Sequence, residues 1–344
     1  MSSGIVQLIA VGAQDEHIIG DPEISFFTST FKRHSNFSQS LEKQTIQGAV
    51  KNNSMSSIRF ERNGDLLGYT YFTIDNNTNS VDIQDWGRVI DKVELLIGGQ
   101  VIDVQDHDFT EKIAIDTYAQ NVTKSSNGTH PGASARSYFY PLRFFFCEGP
   151  QSAIPLVALQ YHTVDLRIYW GPEASNYNVE AYANYYYLDN EERGMMTSRK
   201  HDILITQVQK NIPSGELVQE LMFNHPVKYI ACSNTNSEST LTSIDNKIKM
   251  SINGTDIGAY KFAKPHYVDI MSYYHTNFVT SPDFFLHCFC LNTSSLQPSG
   301  SLNFSRLDSV KIHSETKPLI DPIYGVNYNI LRVNNGMAGL MYAN

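Results

Sequence analysis

The chain has 344 residues, of which 41% are hydrophobic and 12% aromatic, which is enough to fill two or three domain cores and excludes a disordered chain. Its formal net charge of −9 argues against an open, non-specific nucleic-acid groove, because such a groove needs clustered Lys and Arg. No apolar run is long enough for a membrane-spanning helix, and the amino terminus lacks a basic signal-peptide region, so we expect synthesis in the cytosol.

Alternation of apolar and polar residues is the commonest pattern along the chain, and it predicts short β-strands with one wet face. The predicted strands are residues 57–62, 67–74, 93–97, 101–103, 164–170, 182–188 and 202–209. Gly98 and Gly99 offer the positive φ of a tight hairpin turn. A single helix is predicted over residues 108–121, where apolar side chains recur every three or four residues behind Asp108.

A weak internal repeat divides the chain into two halves. The segment KVELLIGG at residues 92–99 is echoed by KIKMSING at 247–254, and LRI at 166–168 is echoed by VKI at 310–312. The echoes predict two all-β domains that are joined near the charged residues 189–199. Many short strands with a few long loops favour β-sandwiches, and the jelly roll is the sandwich that most often tiles viral shells.

A collinear series of motifs covers nearly the whole chain. It consists of GIVQL (4–8), GAQD (12–15), GDP (20–22), FF (26–27), KRH (32–34), RNGDL (62–66), IGGQVID (97–103), PLRFFFC (141–147), IPLVALQYH (154–162), YLDNEER (187–193), FNHPVK (223–228), PSGSLNFSR (298–306), NYN (327–329) and GMAGL (336–340). This series resembles the major capsid proteins of nucleocytoplasmic large DNA viruses.

The resemblance implies an all-β double jelly-roll: two antiparallel β-sandwich domains side by side, with few short helices in loops. The expected organisation is an amino-terminal arm over residues 1–24, a first jelly roll over 25–190, a linker over 191–199, and a second jelly roll with a carboxyl-terminal tail over 200–344.

The function implied by the resemblance is structural. Three copies would form a pseudo-hexameric capsomer, and capsomers would tile the icosahedral shell of a virion assembled in the host cytoplasm. The implied partners are the chain itself, neighbouring capsomers, minor capsid and vertex proteins, and an internal lipid membrane. We expect no enzymatic activity, no cofactor and no specific nucleic-acid partner.

Two departures and one pattern leave alternatives open. The second domain starts with HDIL at 201–204 where the family has a His-Glu-Tyr-Leu-like sequence, and the chain is short for the family, so a minor capsid paralogue is one alternative. The other is a carbohydrate-binding jelly-roll module, because Tyr185 and Tyr187 share one face of a predicted strand. A core strand produces the same alternation.

Two candidate contact sites follow from the resemblance. The basic cluster Lys32, Arg33 and His34 is expected on the first strand near the inner face of the shell, where it would meet acidic minor capsid proteins or anionic lipid. A solvated edge or an intramolecular pairing is the alternative. Asn127, in a loop-like Asn-x-Thr sequence, is the candidate for glycosylation.

Candidate catalytic and metal sites are lacking in the sequence. It contains neither GxSxG, HExxH nor a phosphate loop. Cys288 and Cys290 would share one face of a strand and His287 the other, so the cysteines are interpreted as reduced core residues. On an extended junction Glu191 and Glu192 would point apart, which favours a salt link with Arg193 over acid–base catalysis.

Overall fold

The computed structural model describes residues 3–75, 83, 85–121, 124, 138–233, 241–277 and 284–343. The chain divides into two compact units, Met1–Asn36 and Phe37–Asn344. The first unit holds helices α1 (Ser3–Ile9) and α2 (Glu16–Ile19) and exposes many apolar side chains. Across the described residues, every helix is too short or too polar to cross a membrane.

The second unit begins with ten strands that form the first sandwich. They are β1 (Phe37–Gln44), β2 (Ile46–Gln47), β3 (Met55–Phe60), β4 (Leu66–Ile74), β5 (Ile90–Ile97), β6 (Gln100–Asp106), β7 (Phe139–Pro141), β8 (Ile154–Pro155), β9 (Val164–Trp170) and β10 (Val179–Leu188). One sheet has the order β1-β10-β4-β7, with β8 beside β4, and the other has the order β2-β3-β9-β5-β6. Between β6 and β7, a π-helical turn (Phe109–Ile113) leads into α3 (Ala114–Thr117).

The remaining ten strands form the second sandwich. They are β11 (His201–Asn211), β12 (Val218–Glu220), β13 (Pro226–Ser233), β14 (Lys247–Ile252), β15 (Thr255–Phe262), β16 (Phe284–Cys288), β17 (Leu302–Asn303), β18 (Val310–Ser314), β19 (Ile323–Asn334) and β20 (Met337–Leu340). Its sheets have the orders β11-β19-β13-β16 and β12-β18-β14-β15; β17 lies beside β13 and β20 beside β19. A π-helical turn (Lys264–Ile270) leads into helix α5 (Met271–His275).

The two sandwiches repeat one topology in eight of their strands. The order β1-β10-β4-β7 matches β11-β19-β13-β16, and β3-β9-β5-β6 matches β12-β18-β14-β15. Each is a jelly roll, so the predicted double jelly-roll is confirmed. The sequence echoes fall on matching elements: the first on β5 and β14 with their turns, the second on β9 and β18.

The predicted local elements are confirmed with small shifts at their ends. Gly98 and Gly99 have φ of 58° and 82°, and Asn253 and Gly254 have φ of 48° and 77°, as two-residue hairpin turns require. In β9, buried residues alternate with half-buried ones along the whole strand. The predicted helix is present, although it ends near Tyr118 rather than at residue 121.

The junction between the jelly rolls is the exception, because it is helical and not extended. Helix α4 spans Asn190–Ser198, and the Asp189 carboxylate caps it by accepting the backbone N–H groups of Glu191 at 3.1 Å and Glu192 at 3.0 Å. The salt link of Arg193 is made with Asp65 of the first jelly roll, at 2.9 Å. The cap that Asp189 provides therefore stabilises a helix where the charged composition had suggested an extended linker.

Three apolar clusters stabilise the second unit. One fills the first jelly roll and the second fills the other. The third lies between them, where the helical segment after β6 packs on the outer face of β13, β16 and β19. Phe109 is fully buried in this third cluster, with its ring centroid 5.8 Å from that of Tyr118 and 5.8 Å from that of Tyr324.

Phe109→Ala should lower the free energy of unfolding by about 3–5 kcal/mol, because it leaves a cavity between the jelly rolls. The measurement is urea denaturation followed by tryptophan fluorescence. Met222→Ala, at a side chain that is 78% exposed, is the control and should change stability by less than about 0.5 kcal/mol. Equal effects of the two substitutions would contradict a packed third cluster.

Candidate assembly interface

The contact between the two jelly rolls, termed the seam, joins β6 and residues 107–118 to the outer face of β11, β13, β16 and β19. Asp106 begins the helical segment by accepting the backbone N–H of Phe109 at 2.9 Å. Its other carboxylate oxygen accepts hydrogen bonds from the Lys210 ammonium at 2.6 Å and from the Tyr324 hydroxyl at 2.7 Å. One carboxylate therefore ties the helical turn to two strands of the second jelly roll.

The free edge of β6 is closed by β11. Asp103 accepts the backbone N–H of Val208 at 2.8 Å and the Gln105 amide at 2.9 Å, and Gln207 donates to the carbonyl of Ile102. These bonds occupy groups that an edge strand would otherwise leave open to another chain. Burial raises the pKa of Asp103 to about 7, although its hydrogen bonds oppose this shift.

The hairpin of β19 and β20 makes a second contact with the first jelly roll. The backbone N–H of Tyr161 donates to the Gly336 carbonyl at 2.9 Å, and the His162 ring lies 2.9 Å from the Ala338 carbonyl. Leu331 and Val333 are buried in the apolar cluster of the first jelly roll. The jelly rolls are thus joined at two places and by both polar and apolar contacts.

A buried cation lies beside the seam. Lys228 is 2% exposed and donates to the carbonyls of Thr293 at 2.6 Å and Ser295 at 3.1 Å. Burial lowers its pKa to about 8. Together with Tyr118, Tyr328 and other residues it lines a small cavity of about 40 Å³ between the two jelly rolls.

The basic cluster that the sequence singled out lies elsewhere. Lys32, Arg33 and His34 are exposed, have no regular secondary structure, and precede β1, so their placement on the first strand is wrong. Their contact with an inner layer stays a prediction. Asn127 lies outside the residues that the structure describes.

The tyrosines weighed as a sugar platform belong to the core. Tyr185 is fully buried, and its hydroxyl donates to Gln44 at 3.1 Å, while Tyr187 packs against the same cluster. Tyr186 points to the opposite face and lines an outer groove. The interpretation as a core strand is therefore the one that the structure supports.

The cysteines also occupy structural positions. Cys147, Cys232, Cys288 and Cys290 are free thiols. Strand β16 ends at Cys288 and Cys290 lies beyond it, so the two cysteines do not share one strand as predicted, but both pack in the third apolar cluster. The His287 ring contacts those of Tyr267 and Phe289, and burial lowers its pKa to about 4.

One group of potential metal ligands escaped the sequence analysis. Ligand atoms of Asp85, His107 and Glu111 lie within 4.8 Å of one another, the only such group of three in the part of the chain that the structure describes. Asp85 already caps a turn through the Gly87 N–H at 3.0 Å. Burial raises the pKa of Glu111 to about 7.

The residues that form the seam were not predicted from the sequence. Asp103 lies in the predicted strand 101–103 and Asp106 lies outside every predicted element, and the partners of both are about 100 or more residues away in the chain. The available signal was the predicted helix, whose apolar residues Phe109, Ile113 and Tyr118 needed a surface to cover.

Two family models match consecutive parts of the chain. The model of the major capsid protein N-terminus matches residues 25–186. The model of the large eukaryotic DNA virus major capsid protein matches residues 192–339. Helix α4, at the junction of the two jelly rolls, starts in the short gap between the two matches and continues into the second one.

Similarity to individual proteins extends over the full length. The chain is 31% identical to the major capsid protein of Pyramimonas orientalis virus and 29% identical to that of Paramecium bursaria Chlorella virus 1, covering 100% of both partners in each case. Among solved structures it resembles PBCV-1 VP54 fitted into a reconstruction of the virophage Sputnik, with a TM-score of 0.77 at 25% identity, covering 93% of this chain and 100% of that one. The Faustovirus major capsid protein, at 12% identity and a TM-score of 0.65 over 94% of each chain, shares the fold.

The stability of the seam should depend on pH through Asp103. Its folded-state pKa of about 7 lies above the value of 3.8 for a free side chain, so the folded protein binds more protons between these values. The free energy of unfolding attributable to Asp103 should therefore fall as the pH rises from 4 to 7, by at most about 1.4 kcal/mol per pH unit. Denaturation of wild type and Asp103→Asn across this range isolates the contribution, and parallel pH profiles would contradict it.

Proposed function

Because the chain belongs to the major capsid proteins of large eukaryotic DNA viruses, we propose that three copies form a pseudo-hexameric capsomer that tiles an icosahedral shell. The observation that supports this most is that the two jelly rolls share one eight-stranded topology. A trimer of duplicated domains approximates sixfold symmetry, so one protein can pave a flat facet by repeated contacts with neighbouring capsomers.

The proposed role is architectural and not catalytic. The polar groups at the seam, such as Asp103 and Asp106, are engaged in hydrogen bonds between the jelly rolls, which gives them a structural task. Full-length similarity to two major capsid proteins supports the major over the minor capsid role. Neither a cofactor nor a specific nucleic acid belongs to this proposal.

The organisation along the chain supports the same proposal. We retain an arm over residues 1–24, jelly rolls over 25–190 and 200–344, and a linker over 191–199. In assembly, which we place in the host cytoplasm, the shell would also bind minor capsid and vertex proteins and cover an internal membrane. The exposed Lys32, Arg33 and His34 would contact anionic groups of that inner layer.

The solution mass of the purified protein tests the capsomer directly. Light scattering should give a particle of three times 38.8 kDa, and negative-stain images of the same fraction should show hexagonal outlines. A chain that stays monomeric over the whole concentration range would overturn the proposal.

The basic cluster is tested on vesicles. Trimers should sediment with phosphatidylserine vesicles at low salt, and the double substitution Lys32→Gln and Arg33→Gln should reduce the bound fraction several-fold, since each basic residue contributes about 1 kcal/mol near an anionic surface. Vesicles of phosphatidylcholine are the control. Undiminished binding by the double variant would remove these residues from the inner contact.

A further inference from the structure

The start of β5 and the end of β6 bring potential metal ligands together. The two strands are joined by the Gly98-Gly99 turn, and Lys92 pairs with Asp106 at the opposite end of this hairpin. Asp85 caps the turn that leads into β5, and His107 directly follows β6. Pairing of the two strands therefore places the Asp85 carboxylate beside the His107 ring.

The third ligand comes from the helical segment after β6. Glu111 lies one helical turn after His107, so both side chains project from the same side of the segment. Glu111 belongs to the π-helical turn Phe109–Ile113, and such turns are frequent at functional sites. The ligand atoms of Asp85, His107 and Glu111 all lie within 4.8 Å of one another.

The backbone of Gly87 fixes the orientation of the His107 ring. A Cβ atom at Gly87 would lie 2.3 Å from Nε2 of the ring and 2.4 Å from both Cδ2 and Cε1. Because these three distances are nearly equal, Gly87 lies against the face of the ring and not at its edge. The in-plane lone pair of Nε2 is therefore not covered by Gly87, and Nε2 lies 3.7 Å from Oδ1 of Asp85.

The other ring nitrogen of His107 faces a different carboxylate. Nδ1 lies 3.9 Å from Oδ1 of Asp108, and this carboxylate accepts a hydrogen bond from the Lys112 ammonium at 2.5 Å. Histidines that bind a metal commonly direct their second nitrogen to a carboxylate, which fixes the ring and makes the ligating nitrogen more basic. This arrangement assigns Nδ1 to Asp108 and leaves Nε2 for a cation.

The charges around the three ligands favour a cation. Asp85 accepts the Gly87 N–H at 3.0 Å and lies 3.6 Å from Arg88, which also pairs with Glu173 at 3.0 Å. Glu111 is half-buried, and within the described ranges it forms neither a hydrogen bond nor an ion pair. Two carboxylates thus lie close together with one shared arginine, and a bound dication would compensate the remaining negative charge.

A buried hydroxyl lies near the same place. Tyr140 is 1% exposed, and its ring centroid is 5.7 Å from that of Trp86, the residue after Asp85. Its hydroxyl has no hydrogen-bond partner among the described residues. Burial and, after it, the negative charge of Glu111 raise the pKa of this hydroxyl. A buried polar group without a partner beside a carboxylate is explained where an ion or its water binds.

We propose that Asp85, His107 and Glu111 bind a divalent transition-metal ion of the Zn²⁺ class. One imidazole nitrogen with two carboxylates is a ligand set for Zn²⁺, whereas Mg²⁺ and Ca²⁺ prefer oxygen ligands alone. Bonds of about 2.0–2.2 Å place the ligand atoms of such an ion roughly 3–4 Å apart, and the His107–Asp85 separation of 3.7 Å lies in this range. The Asp85 side chain is half-exposed and gives the ion a path from solvent.

The role of the ion follows from the segments that it would join. It would link the turn before β5 to the helical segment that carries Phe109 into the third apolar cluster. Binding to the folded chain alone stabilises that chain, so the ion would stabilise the covering of the second jelly roll by this segment. The inference concerns the single chain and does not depend on the proposed capsomer.

Titration of the chelator-treated protein with Zn²⁺ tests the site. Calorimetry should show one tight site per chain, and Zn²⁺ should raise the midpoint of thermal unfolding by several degrees and slow hydrogen exchange over residues 107–118. X-ray absorption of the zinc complex should show nitrogen and oxygen ligands at about 2.0–2.2 Å. A sulfur shell at about 2.3 Å would place the zinc on cysteines and overturn the proposal.

Two variants remove the ligands in different ways. His107→Gln with Glu111→Gln should weaken Zn²⁺ binding by at least about a hundredfold, since even the loss of an outer partner costs about 10–100-fold. Asp85→Asn should weaken it by at least about tenfold, and because Asn also caps helical turns, this variant should keep the wild-type circular dichroism. The matched control is His17→Gln with Glu216→Gln, which changes two exposed residues of the same types and should bind Zn²⁺ as wild type does.

The outcomes decide between this site and other places for zinc. Loss of the tight site in both ligand variants, but not in the control, would support the proposal. Wild-type binding by a folded Asp85→Asn chain together with wild-type binding by the double variant would overturn it. A wild-type chain that shows no tight Zn²⁺ site in calorimetry would overturn it as well.

Discussion

The closure of an exposed sheet edge is the constraint on which this architecture depends. A β-sandwich with an unpaired edge strand and an apolar outer face is prone to unspecific association. In this chain, the Asp106 carboxylate starts the helical turn after β6 and holds Lys210 and Tyr324 of the other jelly roll. The same turn carries Phe109 into the third apolar cluster. One short segment thus closes an edge and covers a face.

Duplication of the jelly roll makes that solution repeatable. The first jelly roll supplies an edge strand and a helical segment that the second one covers, and the second supplies the equivalent edge strand β15, whose eight residues are exposed. In the proposed capsomer, three copies of the duplicated chain would place six similar domains around one axis.

Local interactions explain the success of the sequence analysis. Alternating strands, the Gly98-Gly99 and Asn253-Gly254 turns and the helix after Asp108 depend on residues close in the chain, and the structure contains all of them. The two echoes lie on equivalent strands because they encode the same hairpin and the same core strand twice. The collinear motifs then led to the family and, through it, to the double jelly-roll.

The tertiary structure decided which faces meet. Alternation put Tyr185 and Tyr187 on one side and Tyr186 on the other, but only the packing showed which side is the core. Asp103, Asp106 and Lys228 are ordinary polar residues in the sequence, and they become seam groups because distant segments bury them. The sequence determined the strands, their turns and their repetition, since these depend on neighbours along the chain. Which faces pack together depends on contacts between residues about a hundred or more positions apart, and only the folded chain brings those residues together.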